Sequence, residues 1–461
     1  MRTLARFLAF LFLLTMIAGG AAWIWAGRQA GPIVEFRQPD RFIGQSSELE
    51  LMVQAPQGRL SRLDVSIEQG GKSYPVFNID QPTQATTRQD AADRFYIMRP
   101  IGKRAIPALQ QGPARIVVHA ARPVLRGLRQ AATETTRDVQ VRLEPPQASV
   151  LSTFHYVNLG GAEFVVYRAT PSDVESGVRV GDRTYPGFPA TAVGVPSDPA
   201  LHVAFFALSY DQDVNTPISV FATDPAGNTA VAPVDHMAFS KAFSRSTIPI
   251  DNWVARVVPP IVANTPEMQL SAAPEDVVPT FVRINGDLRR QNAQTIAALA
   301  KKSAPEMMWK EPFQPLGNAA VEAKFADFRT YTYMGKEFDR QVHLGFDLAV
   351  TQQVPILAAQ RGVVVHAAYL GIYGNCVIID HGLGVQTLYG HFSSIGVKVG
   401  DKVEKGQVIG RSGMTGLAAG DHLHFTVLVN GTPVNPVEWW DIKWMQDRVF
   451  RKIRDAGGSV T

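Results

Sequence analysis

Between His343 and His424 the chain carries two pieces of metal-ligand spacing, His343-Leu-Gly-Phe-Asp347 and His422-Leu-His424, with His391 between them in Tyr389-Gly-His391-Phe392. Six of the ten histidines fall in this one stretch. Side chains along a strand alternate faces, so His422 and His424 point the same way, and a four-residue spacing puts His343 and Asp347 on one side too. Two such strands side by side aim two imidazoles and a carboxylate at one point. That is a three-ligand zinc set with a fourth position left for water, the open coordination of a catalytic rather than a structural site. Four histidines and an aspartate exceed what one such site ligates, so the surplus imidazoles are expected to serve the attacking water and the oxyanion. The local pattern agrees with an extended backbone: Val363 to Val365, Val377 to Ile379 and Phe425 to Val429 read as strands, with glycines at nearly every bend.

A catalytic domain of this kind occupies only part of 461 residues, and a 46% apolar composition predicts further folded domains. The formal charge of +4 is a slight excess of 45 basic over 41 acidic residues and does not suggest a nucleic-acid partner, which calls for a concentrated basic face. The single cysteine, Cys376, forms no intramolecular disulfide and reads as a small buried hydrophobe. Location is therefore read from the N-terminus. Phe7 to Gly27 is free of charged residues and is flanked by Arg2, Arg6 and Arg28. As a helix it spans roughly 30 Å at about 1.5 Å per residue, the thickness of a bilayer core. Small residues from Ala18 to Ala22 offer the competing reading of a cleavable signal, but Trp23 and Trp25 prolong the run and suit an interfacial aromatic belt. Residues 1–30 are read as an anchor or signal, with the anchor preferred; the bulk of the chain then lies in the periplasm or outside the cell.

From residue 31 to 146 short alternating strands predominate, as in Leu49, Leu51 and Val53, then Leu63, Val65 and Ile67, then Val139, Val141 and Leu143. The same rhythm resumes over 147–240, where Asp224-Pro-Ala-Gly-Asn228 looks like the closing hairpin of bacterial immunoglobulin-like repeats. One or two β-sandwich modules are expected, as spacers, guards of the groove or surfaces for envelope partners. Residues 241–314 are proline-punctuated, with Asp287 to Lys302 as a helix, and read as a connector docking on the C-terminal domain. Its occupation of the groove as an inhibitory segment is one expectation. In residues 438–461, Ile442, Met445, Val449 and Ile453 recur at helical spacing among basic residues. That helix either lies on a membrane surface or, more commonly, caps the domain before it.

The ordered segments His343-Leu-Gly-Phe-Asp347, Tyr373 to His381, Leu388 to His391, Val397 to Gly410 and Gly420-Asp-His422-Leu-His424-Phe425 resemble the LytM/lysostaphin-type zinc metallopeptidases, which are peptidoglycan endopeptidases. The resemblance covers residues 315–437. It implies a lysostaphin-type β-sheet peptidase domain with His343, Asp347 and His424 as ligands of Zn2+ and His391 and His422 as the catalytic pair. Phe325-Ala-Asp-Phe-Arg329 departs from the commoner Phe-Gly-x-Arg form, Phe392 stands where leucine is usual, Asp421 where proline is usual and Thr426 where many members carry glutamate. None removes a ligand. The chain is thus expected to be mainly β: an N-terminal transmembrane helix in the inner membrane, immunoglobulin-like modules, a helical connector, the peptidase domain and a terminal helix. The implied function is hydrolysis of peptide cross-links in peptidoglycan by metal-activated water. The alternative is an inactive envelope scaffold that activates another wall hydrolase. The scattered His119, His155, His202 and His236, with His366 and His381 nearer the site, are read as structural.

Overall fold

A computed structural model describes residues 2–56, 59–81, 86–91, 93–349 and 351–459, and by contacts these form two compact units. The first holds residues 1–146 with 223–230. Its helix Arg2–Gly27 is long and apolar enough to cross a membrane. Two sheets follow, one of four strands and one of five. Alternation decides their packing. Leu49, Leu51 and Val53 of one sheet bury against Leu63, Val65, Ile67, Ile116 and Val118 of the other, with polar residues between them outward. The five-stranded sheet contains a long hairpin, Gly112–Val124 with Arg129–Val141, whose tip meets the end of the N-terminal helix: Ala26, Val124 and Ala131 form a small buried cluster. The Asp224 to Asn228 turn belongs to this unit, because Asn228 donates to the Arg142 carbonyl and accepts from the Gln45 amide.

In the second unit, residues 147–222 and 231–461, two four-stranded sheets and a two-stranded pairing make a module that shares one continuous core with the C-terminal domain. Phe205 of the module lies 6.0 Å from the Trp309 ring and 5.7 Å from that of Trp439. The C-terminal domain is built on an eight-stranded sheet with Asn375–Asp380, Val385–Phe392 and Leu423–Val429 at its centre. These strands are buried almost throughout, which requires cover on both faces. One face, through Val377, Ile379 and Tyr389, meets the main core; the other, through Cys376, Ile378, Leu388 and Leu428, meets Ile296 of the connector.

The connector is more ordered than its prolines predict. Its strand Arg245–Pro249 pairs in parallel with Asp327–Tyr333, which pairs with Lys336–His343, so a three-stranded sheet joins connector and peptidase. The helix expected at 287–302 is Arg289–Ala300, continuous with helical turns that begin at Val277. The side chain of Asn292 accepts from the Ile372 amide and seats this helix on the sheet.

The C-terminal helical stripe is occupied by protein. Met445, Val449 and Ile453 are fully buried in the core, while Ile442 is 51% exposed, and the helix packs on the strand Gly161–Thr170. Within the basic set, Lys452 is buried and donates to Glu163 Oε1 and to the Phe164 carbonyl, both at 2.7 Å. Burial pulls the Lys452 ammonium down to about 8, and burial likewise raises Glu163 above the usual carboxylate range. Removing one partner of such a pair strands the other charge. Lys452→Met is therefore expected to lower stability in urea titrations by about 3–5 kcal/mol, and Glu163→Gln in the same chain to restore most of the loss.

Candidate metal centre

Three strands deliver the candidate ligands. His343 ends Lys336–His343, Asp347 lies on Phe346–Ala349, and His424 lies on Leu423–Val429 directly opposite Asp347. The four-residue spacing thus works across a change of strand at Leu344-Gly345 rather than along one strand. Gly345 makes the crossing: a Cβ there would sit 2.6 Å from the His424 ring. Gly390 pairs with His424 on the other side, and His391 after it adopts φ 66°, in the left-handed region, beside a register shift between Asn375 and Val377. Such a backbone is costly for a side-chain-bearing residue and turns the imidazole out of the sheet's alternation.

Hydrogen bonds fix where each ring carries its proton. Thr426 Oγ1 donates to the Leu344 carbonyl at 3.0 Å, so it accepts from His424 Nε2, also at 3.0 Å, and Nδ1 keeps its lone pair. His343 Nδ1 donates to the Lys324 carbonyl at 3.2 Å, which leaves Nε2 free. Arg329 Nη2 holds Asp347 Oδ2 at 2.9 Å, leaving Oδ1. The three remaining atoms lie 2.9, 3.0 and 3.0 Å apart with no proton between them. Three buried electron pairs in such proximity repel unless a cation sits among them, so this donor set fits a metal ion.

His391 and His422 flank the point. Their Nδ1 atoms donate to the Thr415 and Gly420 carbonyls at 2.7 and 2.9 Å, so both rings turn Nε2 toward the centre, and the two rings are 4.7 Å apart. Burial pushes His391 well below its usual value, with His422 and His424 adding to the effect, and burial takes His424 down to about 4. Against its own burial His422 is raised, by Asp347 at 3.5 Å from its Nε2 and by Glu322. Burial opposes ionisation of Asp347 too, yet the imidazoles of His343, His422 and His424 hold it well below the carboxylate range. All five residues line one cavity of about 270 Å³, together with Ile248 and Trp253 of the connector, Arg329, Glu322 and Tyr373.

The other singled-out residues separate cleanly. Asp421 is turned away, accepting from the Gln353 amide, and the carboxylates acting on His422 are those of Asp347 and Glu322. His381 bonds the Arg361 carbonyl and Thr387, His366 the Ala368 carbonyl and His155 the Asp235 carbonyl, none at the centre. Cys376 is free and buried. Missed from sequence were the clamp of Arg329 on Asp347, itself braced by Asp327 and Ser246, and the role of Thr426 as proton acceptor for His424. Arg329 carried a signal, its place in the motif that precedes the first ligand. The connector enters the wall of the cavity without a carboxylate at the candidate metal point, where the described residues supply only Asp347 alongside the two imidazoles.

The profile of Peptidase family M23 matches residues 341–436. The chain is 44% identical over 97 residues to the DD-carboxypeptidase/endopeptidase Mpg of Neisseria meningitidis serogroup B, covering 21% of this chain and 22% of that protein. To the peptidoglycan DD-endopeptidase ShyA of Vibrio cholerae it is 44% identical over 96 residues, again 21% and 22% of the two chains. The chain thus spans about a fifth of the length of the curated relatives it matches. The catalytic domain of lysostaphin from Staphylococcus simulans aligns at 27% identity over 31% of this chain and 94% of that one, with a TM-score of 0.20, too low for that likeness to carry a conclusion. The motif order, the sheet that presents it and the match over residues 341–436 make this segment a Peptidase family M23 domain of the LytM/lysostaphin type.

Proposed function

We propose that the protein is a membrane-anchored, zinc-dependent endopeptidase that hydrolyses peptide cross-links of peptidoglycan. The observation that carries this reading is the meeting of three proton-free donor atoms, from His343, Asp347 and His424, beside the imidazoles of His391 and His422 in a single cavity. The relatives named as DD-endopeptidases support peptide bonds between D-residues as the target. Zinc, when bound by His343 Nε2, Asp347 Oδ1 and His424 Nδ1, supplies Lewis acidity to water and to the scissile carbonyl.

The chain's own groups do the rest. Arg329 and Thr426 orient two of the ligands through their outer atoms, the arrangement that fixes ligand direction and basicity in metal sites. His391 and His422 share the proton traffic at Nε2, one accepting the proton of the attacking water and the other stabilising the oxyanion, while their Nδ1 bonds to carbonyls hold both rings in place. Buried apolar neighbours such as Ile372 narrow the solvent around the reacting bond.

For location, the distal end of the N-terminal helix supports an anchor with the adjacent sheet against the bilayer. The Arg129 guanidinium lies 5.1 Å over the Trp23 ring and donates to the Trp23 carbonyl, and Arg122 donates to the Ala30 carbonyl. Since Trp23 is about one helical turn from the end of the helix, the hairpin tip that carries Leu128, 74% exposed, is held at head-group depth.

Purified protein is expected to hold one zinc per chain. Asp347→Ala should lose the metal; His391→Ala should keep it and lose turnover of cross-linked muropeptides by about 10²–10⁴-fold, read by mass spectrometry of the digest. Arg329→Gln should weaken zinc affinity by about 10–100-fold in a competition titration. Zinc-loaded wild type that releases nothing from peptidoglycan would establish the scaffold reading instead. In proteoliposomes of the full chain, a fluorophore on Leu128→Cys should be quenched by lipid-borne quenchers, and one on Ser73→Cys, at the far end of the same sheet, should not. Equal quenching at both positions, or protein that does not float with the lipid, rejects the anchor geometry.

A further inference from the structure

A second cavity, of about 450 Å³, has a cationic wall: Arg245, Arg289, Arg329 and Arg340 line it, with no carboxylate among the lining residues. It adjoins the metal cavity, because Arg289 and Arg329 line both. The four guanidiniums are not equally free. Arg329 is held by Asp327 and Asp347, and Arg340 pairs with Glu337. Arg245 instead lies 5.2 Å over the Phe328 ring, and Arg289 donates to the carbonyl and side chain of Asn285, all neutral partners. Among the ion pairs of the described residues neither Arg245 nor Arg289 takes part, and Asp339 reaches Arg289 only through the Asn285 amide, so both positive charges are without a direct ion-pair partner.

The cleft is also composite. Only Arg329 and Arg340 come from the peptidase segment; Arg245 is on the connector strand, Arg289 opens the connector helix, and Tyr210, also in the lining, belongs to the preceding β-module. Regions without catalytic groups therefore build a cationic pocket that opens beside the reacting point. A guanidinium recognises a carboxylate by paired, charge-assisted hydrogen bonds. The stem peptides of peptidoglycan carry free carboxylates at their ends and on their acidic residues, within a few residues of any cross-link.

We propose that this arginine cleft is a substrate-reading site that binds a stem-peptide carboxylate flanking the scissile bond, with Arg245 and Arg289 as its ligands. The proposal rests on the endopeptidase reading for the identity of the substrate. It gives the connector and β-module a part in selecting substrate, and it makes the enzyme discriminate between free and amidated stems.

Binding and turnover are measured separately. With EDTA present to stop hydrolysis, anisotropy of a fluorescent cross-linked muropeptide bearing free carboxylates should report binding to the full chain at least tenfold tighter than that of its amidated counterpart. Arg245→Gln should remove most of that preference, Arg245→Lys should retain part of it, and Arg245→Gln with Arg289→Gln should abolish it. Because Arg245 is exposed, its single variant is expected to keep the melting midpoint. Equal affinity of wild type for both peptides, or a preference that survives in the double variant, overturns the proposal. Inorganic phosphate should compete less well than the free stem peptide; if it competes better, the cleft is a phosphate site and the carboxylate assignment falls. With zinc restored, carboxylate preference without turnover defeats the endopeptidase reading and leaves the cleft standing. Turnover indifferent to Arg245 and to amidation does the reverse.

Discussion

Around the point where His343, Asp347 and His424 converge, each outward-facing polar atom already has a partner, and this satisfaction is what the rest of the site depends on. Lys324 and Leu344 supply backbone carbonyls, Thr426 passes one of them on to His424, and Arg329 occupies the far oxygen of Asp347. If any of these bonds were missing, the corresponding ring could turn or hold its proton on the inward atom, and the donor set would be lost without a ligand having changed. The carbonyl partners belong to the loops and strand ends flanking the ligands, so the precision of the centre follows from backbone paths that the sheet fixes. Glycine enters at the two closest approaches, Gly345 and Gly390, because a side chain at either would contact His424.

The clamp on Asp347 extends the dependence outward. Arg329 is held by Asp327, which accepts from Ser246 on the connector strand, and that strand is part of the same three-stranded sheet. The connector therefore reaches the metal centre through a chain of bonds of ordinary length, Ser246 to Asp327 to Arg329 to Asp347. Its helices add a packed face on the central strands and, through Ile248 and Trp253, a wall of the cavity. The connector braces Asp347 from behind and shapes the space beside it.

How much of this was legible in the sequence follows from the range of each interaction. The candidate ligand and catalytic histidines were visible because their chemistry is rare and they cluster at short spacings in one stretch of the chain. Strands of the first β-module were visible because they have one buried face, as at Leu49, Leu51 and Val53. What stayed hidden was set by partners distant in sequence. Nothing local in Arg245 to Pro249 announces a parallel partner some eighty residues on at Phe328 to Thr332. Lys452 reads as one more cation of an amphipathic helix until Glu163 is opposite it. Asp421 reads as a neighbour of His422 by adjacency alone, while the bend before the strand directs its carboxylate to the Gln353 amide. In each case the pattern supplied the residue and only the fold supplied its direction.

Burial, which would be a liability for most polar clusters, here selects the protonation states the chemistry needs. An imidazole ligates or accepts a proton only when neutral, and a cluster of four imidazoles near an arginine could not tolerate several positive charges around a divalent cation. Desolvation is the leading cause that lowers His391 and His424, so the fold itself favours their neutral forms. The single ring pushed the other way is His422, and the group that raises it most is Asp347, the anion that a bound cation would neutralise. Metal and proton therefore compete for the same carboxylate. A centre of this design is assembled by ionising Asp347 while burial keeps His391 and His424 toward their neutral forms.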